Sequence, residues 1–222
     1  MEPAKLVTRE ECWHPEAVDA TALDALRRLF DSPLLGAFYL AGRTGLALSL
    51  GHRRSVDLDL FSRSTFHVNE LVGMVREAFD SATVQNQRHD TLHVRANGTQ
   101  ISFLEYRYPL LRPLKTFGNV RIADPIAIAC MKLSAIASRG TRRDFVDLHA
   151  VARDHGLPHL LALIDEKFSG VRYSRLHLLK SLVYFEDAEK DPEPNMRTDL
   201  EWERVKQFFV DRVPPCLQST GS

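Results

Sequence analysis

The stretch from Leu40 to Phe61, LAGRTGLALSLGHRRSVDLDLF, constrains the chain more than any other, because it joins a glycine turn, a short helix and two alternating aspartates in one unit. Ala37 to Ala41 is an apolar run of strand length. Gly42 breaks it, and Thr44 is placed to cap a helix that carries Leu46, Ala47 and Leu50 and stops at Gly51. Val56 to Phe61 then alternates acidic with apolar residues. As a strand it sends Val56, Leu58 and Leu60 to one face and Asp57 and Asp59 to the other.

Two carboxylates at that spacing lie roughly 6.5 to 7 Å apart at Cα, and their charges repel unless a cation or hydrogen-bond donors stand between them. Two readings meet that need. Oxygen ligands of this kind suit Mg²⁺ or Mn²⁺, which take one or two carboxylates and complete their shell with water and substrate phosphates. Alternatively, the acids lie on a solvated edge strand and pair with His52, Arg53 and Arg54 beside them. The alternating pattern alone favours the second.

The 222 residues, 44% hydrophobic, suffice to bury a core and fit one domain or two small lobes. Lysine plus arginine equals aspartate plus glutamate at 29 each, so there is no global basic field, and any nucleic-acid contact must come from a local patch. Cys12, Cys130 and Cys216 follow no CxxC or zinc spacing, which points to a reducing compartment. No charged start with an apolar stretch opens the chain and no run reaches membrane-spanning length, so a cytoplasmic protein without a membrane segment is expected. Ser219 to Ser222 reads as a tail.

Asp19 to Phe30 places Leu23, Leu26 and Phe30 at helical spacing, and His67 to Phe79 does the same with Leu71, Val75 and Phe79. Thr91 to Ala96 and Thr99 to Tyr106 flank Asn97-Gly98, a dipeptide suited to a two-residue hairpin turn. This order predicts an α+β chain: a small mixed sheet with helices on one side. Tyr108 to Gly118, rich in proline, arginine and glycine, reads as a connecting loop. It divides a core at residues 1–118 from a helical region at 119–222. Within that region, Leu160 to Phe168, Ser174 to Phe185 and Leu200 to Phe209 carry apolar stripes, and Glu186 to Pro194 reads as a loop. His155, His159 and His177 show no metal-ligand spacing.

Asp124-Pro125 starts a helix and Gly140 stops it. From Ile126 to Ala137 only Lys132 and Ser134 are polar, so Lys132 must snorkel, shift its pKa or meet an anion. Thr141 can cap a following helix with Asp144 and Asp147 one turn apart. Spacing alone favours structural pairs, Lys132 with Asp147 or Arg139 with Asp144, that hold the two helices together.

Gly42, Thr44, Gly51, His52, Arg53, Ser55, Asp57, Asp59 and Phe61 together resemble the first motif of the AbiEii/AbiGii-type toxins, a family of the polymerase-β-like nucleotidyltransferase superfamily. Lys132 to Leu148, KLSAIASRGTRRDFVDL, resembles the second. The resemblance spans Ala37 to Ala152. It implies a nucleotidyltransferase-like small mixed sheet with flanking helices, followed by a helical C-terminal region that completes the active site. It further implies metal-dependent transfer of a nucleotide from an NTP to an RNA acceptor, the tRNA 3′ end foremost, and a cognate antitoxin protein as partner.

By the same resemblance, Asp57 and Asp59 would hold Mg²⁺ or Mn²⁺. Gly42, Arg43, Thr44 and Ser55 would line the substrate turn, with Gly42 and Thr44 meeting phosphates through backbone N–H and hydroxyl groups. Lys132 and Arg139 would bind phosphate, and Asp144 and Asp147 would join the site or its surroundings. Arg53, Arg54, Arg139, Arg142 and Arg143 would form a basic patch for the acceptor. Two positions depart from the family pattern. Arg43 stands where a second glycine is usual, and Ser102 stands where a third carboxylate is expected; nearby Glu105 reads as a strand-end salt bridge. Two alternatives stay open: transfer to a small hydroxylated molecule, and a protein that binds NTP or a partner without transferring anything.

Overall fold

The structure, a computed structural model, describes residues 12–218. Helix α1, Ala20–Phe30, starts on Asp19, whose carboxylate accepts the Thr21 and Ala22 amides, and it buries Ala22, Ala25, Leu26 and Leu29. Strand β1, Phe38–Leu40, runs into helix α2, Gly42–Leu50. Contrary to expectation, Thr44 does not cap this helix, which begins on Ala41. The Thr44 hydroxyl is fully buried, bonded to Ser55 Oγ at 2.8 Å and donating to the Asp57 carbonyl. Strand β2 is therefore Leu58–Ser62 and not Val56 to Phe61: with its carbonyl bonded to α2, Asp57 precedes the ladder. Gly51 ends α2 in the left-handed region, φ 63°, as expected, and a Cβ there would meet the His14 ring at 2.7 Å.

Helix α3, Val68–Ala78, is followed by β3, Ala82–Arg88, β4, Thr91–Ala96, and β5, Thr99–Glu105. The Asn97-Gly98 turn joins β4 to β5, both residues at positive φ. The sequence ATVQNQR of β3 carries no apolar alternation because the strand lies at a sheet edge and is mostly exposed. Inside the expected loop lies another strand, β6, Lys115–Phe117, which pairs with β7, Val120–Ile122. Among the described residues the strands form one seven-stranded mixed sheet in the order β3-β4-β5-β2-β1-β7-β6, with β2–β5 and β1–β7 parallel. Residues 120–122, expected in the helical region, thus belong to the sheet.

The C-terminal helices are α4, Pro125–Ser138, α5, Arg142–His155, α6, Leu157–Lys167, α7, Arg175–Ser181, α8, Glu186–Glu189, and α9, Trp202–Gln218. Asp124 caps α4 through the Ile126 amide at 2.9 Å. Helix α8 occupies part of the stretch expected as loop. The tail from Ser219 lies outside the described residues.

Alternation in the strands decides what each face of the sheet does. Leu58, Leu60, Leu92, Val94, Ile101 and Phe103 point into a core shared with α1 and α3. Each such buried side chain contributes roughly 1.5 to 3 kcal/mol. The intervening residues Asp59, Phe61, His93, Ser102 and Leu104 point to the other face and line a cavity with α4. A second core around Phe145 gathers Phe185, Trp202 and Phe209 from the C-terminal helices. The two halves are stitched by an aromatic chain, Tyr39–Phe61–Tyr106–Tyr108–Phe168, with successive centroids 4.7 to 6.1 Å apart.

Candidate active site

A cavity of about 760 Å³ lies between the open face of the sheet and the helices of the second motif. Its floor is a row across three neighbouring strands: Asp59 on β2 is paired with Ser102 on β5, and Ser102 with His93 on β4. His93 Nδ1 lies 3.0 Å from Ser102 Oγ. The Asp59 carboxylate makes no ion pair or side-chain hydrogen bond among the described residues. Its Oδ2 lies where a Cβ on Gly42 would come within 2.7 Å, so only glycine, here at φ 59°, lets the start of α2 approach this carboxylate. Helix α2 also lacks a side-chain cap, so no side chain at its N-cap satisfies the amides of its first turn.

The wall is built from α4 and α5. Lys132 Nζ, nearly buried, donates to Asp144 Oδ1 at 2.7 Å and approaches Asp147 Oδ2 at 2.8 Å. Burial alone would push the Lys132 pKa down; the charges and hydrogen bonds of Asp147 and Asp144 outweigh it and leave the pKa above the ordinary lysine value. For Asp144, burial favours the neutral form, but Lys132 and the Thr141 hydroxyl hold the carboxyl below its usual range. Lys132 and Asp144 both line the cavity.

Asp147 does not. It is fully buried, and its carboxylate takes His52 Nε2 at 2.9 Å, Arg53 Nε at 2.6 Å and Arg53 Nη2 at 2.8 Å besides Lys132. Burial opposes its ionisation, and Lys132 with Arg53 overcomes that, holding its pKa well below the ordinary aspartate value. The Gly-His-Arg step of the first motif and the last aspartate of the second are therefore joined in one knot.

Asp57, just outside the ladder, is faced by Arg43 Nη2 at 2.7 Å, both side chains about a quarter exposed. This pair borders a second cavity of about 390 Å³, which Arg54 and Arg143 also line. Ser55 and Thr44 are buried against each other, so neither hydroxyl faces the larger cavity. Arg139, exposed, lines it and lies 4.0 Å from Asp144. Of the expected basic patch, Arg53 is held by Asp147, and Arg142 is buried against Trp202, Glu189 and Glu193. Arg54, Arg139 and Arg143 remain turned toward cavities. Glu105 pairs with Arg107 at the end of β5, the strand-end salt bridge expected for it. His93 was not foreseen. The signal was present, because a two-residue turn at Asn97-Gly98 sets the pairing that puts residue 93 opposite residue 102.

The family model described as "Nucleotidyl transferase AbiEii toxin, Type IV TA system" matches residues 95–219, more than half of the chain. The chain belongs to this AbiEii family. Its second motif lies inside the matched segment and its first lies before it. An uncharacterized protein of Aquifex aeolicus is 36% identical, over 88% of this chain and 96% of its own length. Among solved structures, a protein of Helicobacter pylori shares 16% identity at a TM-score of 0.53 over 92% of this chain and 99% of that one. MenT4, a nucleotidyltransferase toxin of Mycobacterium tuberculosis, shares 20% at 0.50 over 88% and 86%. These two likenesses show the fold. Membership of the AbiEii family makes the chain a nucleotidyltransferase. No helix among the described residues is long and apolar enough to cross a membrane.

Proposed function

We propose that this AbiEii-family enzyme transfers a nucleotide from an NTP to an RNA acceptor, the 3′ end of tRNA foremost, as the toxin of a pair with a cognate antitoxin protein in the cytoplasm. The observation that carries the reading is the convergence on one cavity of the uncapped start of α2, the unpartnered Asp59 carboxylate and the Lys132 ammonium. Backbone amides at a helix start and a buried lysine are the two devices that most readily hold a triphosphate. Gly42 admits the phosphates close to the backbone, Lys132 offsets charge that develops on them, and Asp144 keeps that lysine protonated and aimed. Asp147 positions the same lysine from behind. Arg139 reaches the phosphates from the rim. Thr44 and Ser55 act through the backbone, fixing Asp57 relative to α2.

Asp57 and Asp59 suit a hard divalent cation: both offer only oxygen, Asp59 has no ion pair among the described residues, and Asp57 is neutralised by a guanidinium about a quarter exposed. Mg²⁺ or Mn²⁺ there would supply positive charge to the phosphates of the nucleotide. The acceptor strand lies along Arg54 and Arg143, whose cavity adjoins the Arg43–Asp57 pair. The neutral net charge makes that binding moderate and salt-sensitive.

The test is incubation of the chain and Mg²⁺ with each of the four labelled NTPs, offering tRNA or a panel of small hydroxylated molecules. Mass spectrometry then locates the addition. A nucleotide added to RNA and not to the small molecules supports the reading. Addition to a small molecule alone overturns the RNA acceptor.

A further inference from the structure

The floor of the cavity places a titratable side chain, His93, directly across from Ser102, the position where the family pattern leads one to expect a carboxylate. Asp59, Ser102 and His93 are successive neighbours across β2, β5 and β4, and all three line one cavity with Lys132 and Asp144. Ser102 is nearly buried and hydroxyl-bearing, so it cannot take a proton from an acceptor at neutral pH. Its hydroxyl meets His93 Nδ1 at 3.0 Å. With the proton on Nδ1 donated to Ser102 Oγ, the lone pair of the imidazole is on Nε2.

We infer that His93, oriented by Ser102, is the general base of this enzyme, in the place of a third carboxylate. This rests on the nucleotidyl-transfer reading above. In the step, His93 Nε2 takes the proton of the acceptor hydroxyl while that oxygen attacks the α-phosphorus of the NTP. One O–P bond forms, the bond between the α-phosphorus and the bridging oxygen breaks, and pyrophosphate leaves with the bonding pair. Imidazole becomes imidazolium and is reset by loss of the proton to water. The half-buried ring lines the same cavity as Lys132, Asp144 and Arg139, so the base and the groups that would hold the phosphates open onto one space. Ser102 is a positioning residue: it touches the base and holds its ring in place.

The experiment compares the full chain with His93→Ala, His93→Gln, Ser102→Ala and the double variant His93→Ala with Ser102→Asp. Steady-state nucleotide transfer is read alongside NTP binding by fluorescence. His93→Ala is expected to lower kcat by roughly 10²- to 10⁴-fold, the usual worth of a general base, with NTP affinity and KM unchanged. Added imidazole should recover part of the loss in His93→Ala and none in His93→Gln, whose side chain fills the space. Ser102→Ala should lower kcat less, again without moving KM. A carboxylate at 102 in the double variant should raise kcat above that of His93→Ala.

Retention of kcat within about threefold in His93→Ala overturns the proposal, as does an equal loss in kcat and NTP affinity. No transfer by the unaltered chain to any acceptor overturns the functional reading, and this inference with it. Transfer by the unaltered chain with a silent His93→Ala overturns this inference alone.

Discussion

Two aspartates of this chain, Asp59 and Asp147, belong to the two motifs that carry the family resemblance, yet they live in opposite surroundings. Asp59 stands half-exposed on the floor of a cavity with no ion pair among the described residues. Asp147 is fully buried and held by Lys132, His52 and Arg53. A carboxylate whose valences are all taken by its own chain has nothing left for a substrate. One left bare beside a glycine contact, at the start of an uncapped helix, is free to meet a ligand. The first is how the motifs hold each other; the second is where the function proposed above puts the chemistry.

The contrast breaks most easily at Asp59. Asp59→Asn keeps size and packing, so we expect transfer activity to fall by roughly 10³-fold, as for loss of an oriented charge-stabilising group. The denaturant midpoint should hardly move, because the carboxylate makes no ion pair or side-chain hydrogen bond among the described residues. Activity assays and urea unfolding on the same preparation check both halves. A large fall in stability with activity retained per folded molecule would place Asp59 with Asp147.

Asp147→Ala should do the reverse first. It leaves Arg53 buried without its carboxylate partner and Lys132 with Asp144 alone, and breaking a buried pair in this way is strongly destabilising, about 3 to 5 kcal/mol. Urea unfolding measures it. A change below about 1 kcal/mol would show that water or rearrangement satisfies the knot.

The knot was half legible. Lys132 announced itself as the one long polar chain in an apolar helix, and Asp147 was among its anticipated partners. The third and fourth members, His52 and Arg53, come from 95 and 94 residues earlier in the chain, and no local periodicity encodes so distant a contact. Thr44 misled for a related reason. A threonine near a helix start reads as a cap from sequence, but here its hydroxyl finds Ser55 and the Asp57 carbonyl, partners brought by the tertiary fold. Strand β3 stayed invisible because an exposed edge needs no apolar alternation. The hairpin was plain, since Asn97-Gly98 specifies its own geometry.

The pH dependence of stability sharpens the comparison further. Asp144 and Asp147 have folded pKa values below their ordinary 3.8, so the stability they contribute is present above that pH and is lost as pH falls through the depressed values. Lys132 has a folded pKa above its ordinary 10.5, so its contribution is full below that pH and is lost as pH rises through the raised value. Between those limits the knot contributes evenly. Unfolding free energy of the intact chain should therefore drop on acidification below about pH 4, and Asp147→Asn should flatten part of that drop. An acid limb identical in both chains would assign the pH dependence to other carboxylates.

Gly42→Ala tests how close the bare carboxylate lies to α2. A left-handed alanine costs roughly 1 to 2 kcal/mol, and its Cβ would come within 2.7 Å of Asp59 Oδ2, so the aspartate must shift. We expect that modest loss in stability together with a fall in activity, the two readable from one unfolding curve and one assay. Full activity would mean that the carboxylate tolerates displacement and that its position is not what matters.

The smallest effect on the fold is expected from Arg43→Gln. The Arg43–Asp57 pair is about a quarter exposed on both sides, so solvent screens it and its removal should change stability by less than about 1 kcal/mol. Its effect belongs to function instead. The guanidinium stands on the carboxylate that a divalent cation would also use, and two cations compete for one anion. Removing the arginine should therefore lower the Mg²⁺ or Mn²⁺ concentration needed for half-maximal transfer, a shift read by metal titration at fixed NTP. If the half-maximal concentration rises instead, Arg43 assists the nucleotide more than it competes for Asp57. Asp57 would then join Asp147 among the carboxylates whose partner is protein, leaving Asp59 the only aspartate of the two motifs that stands bare.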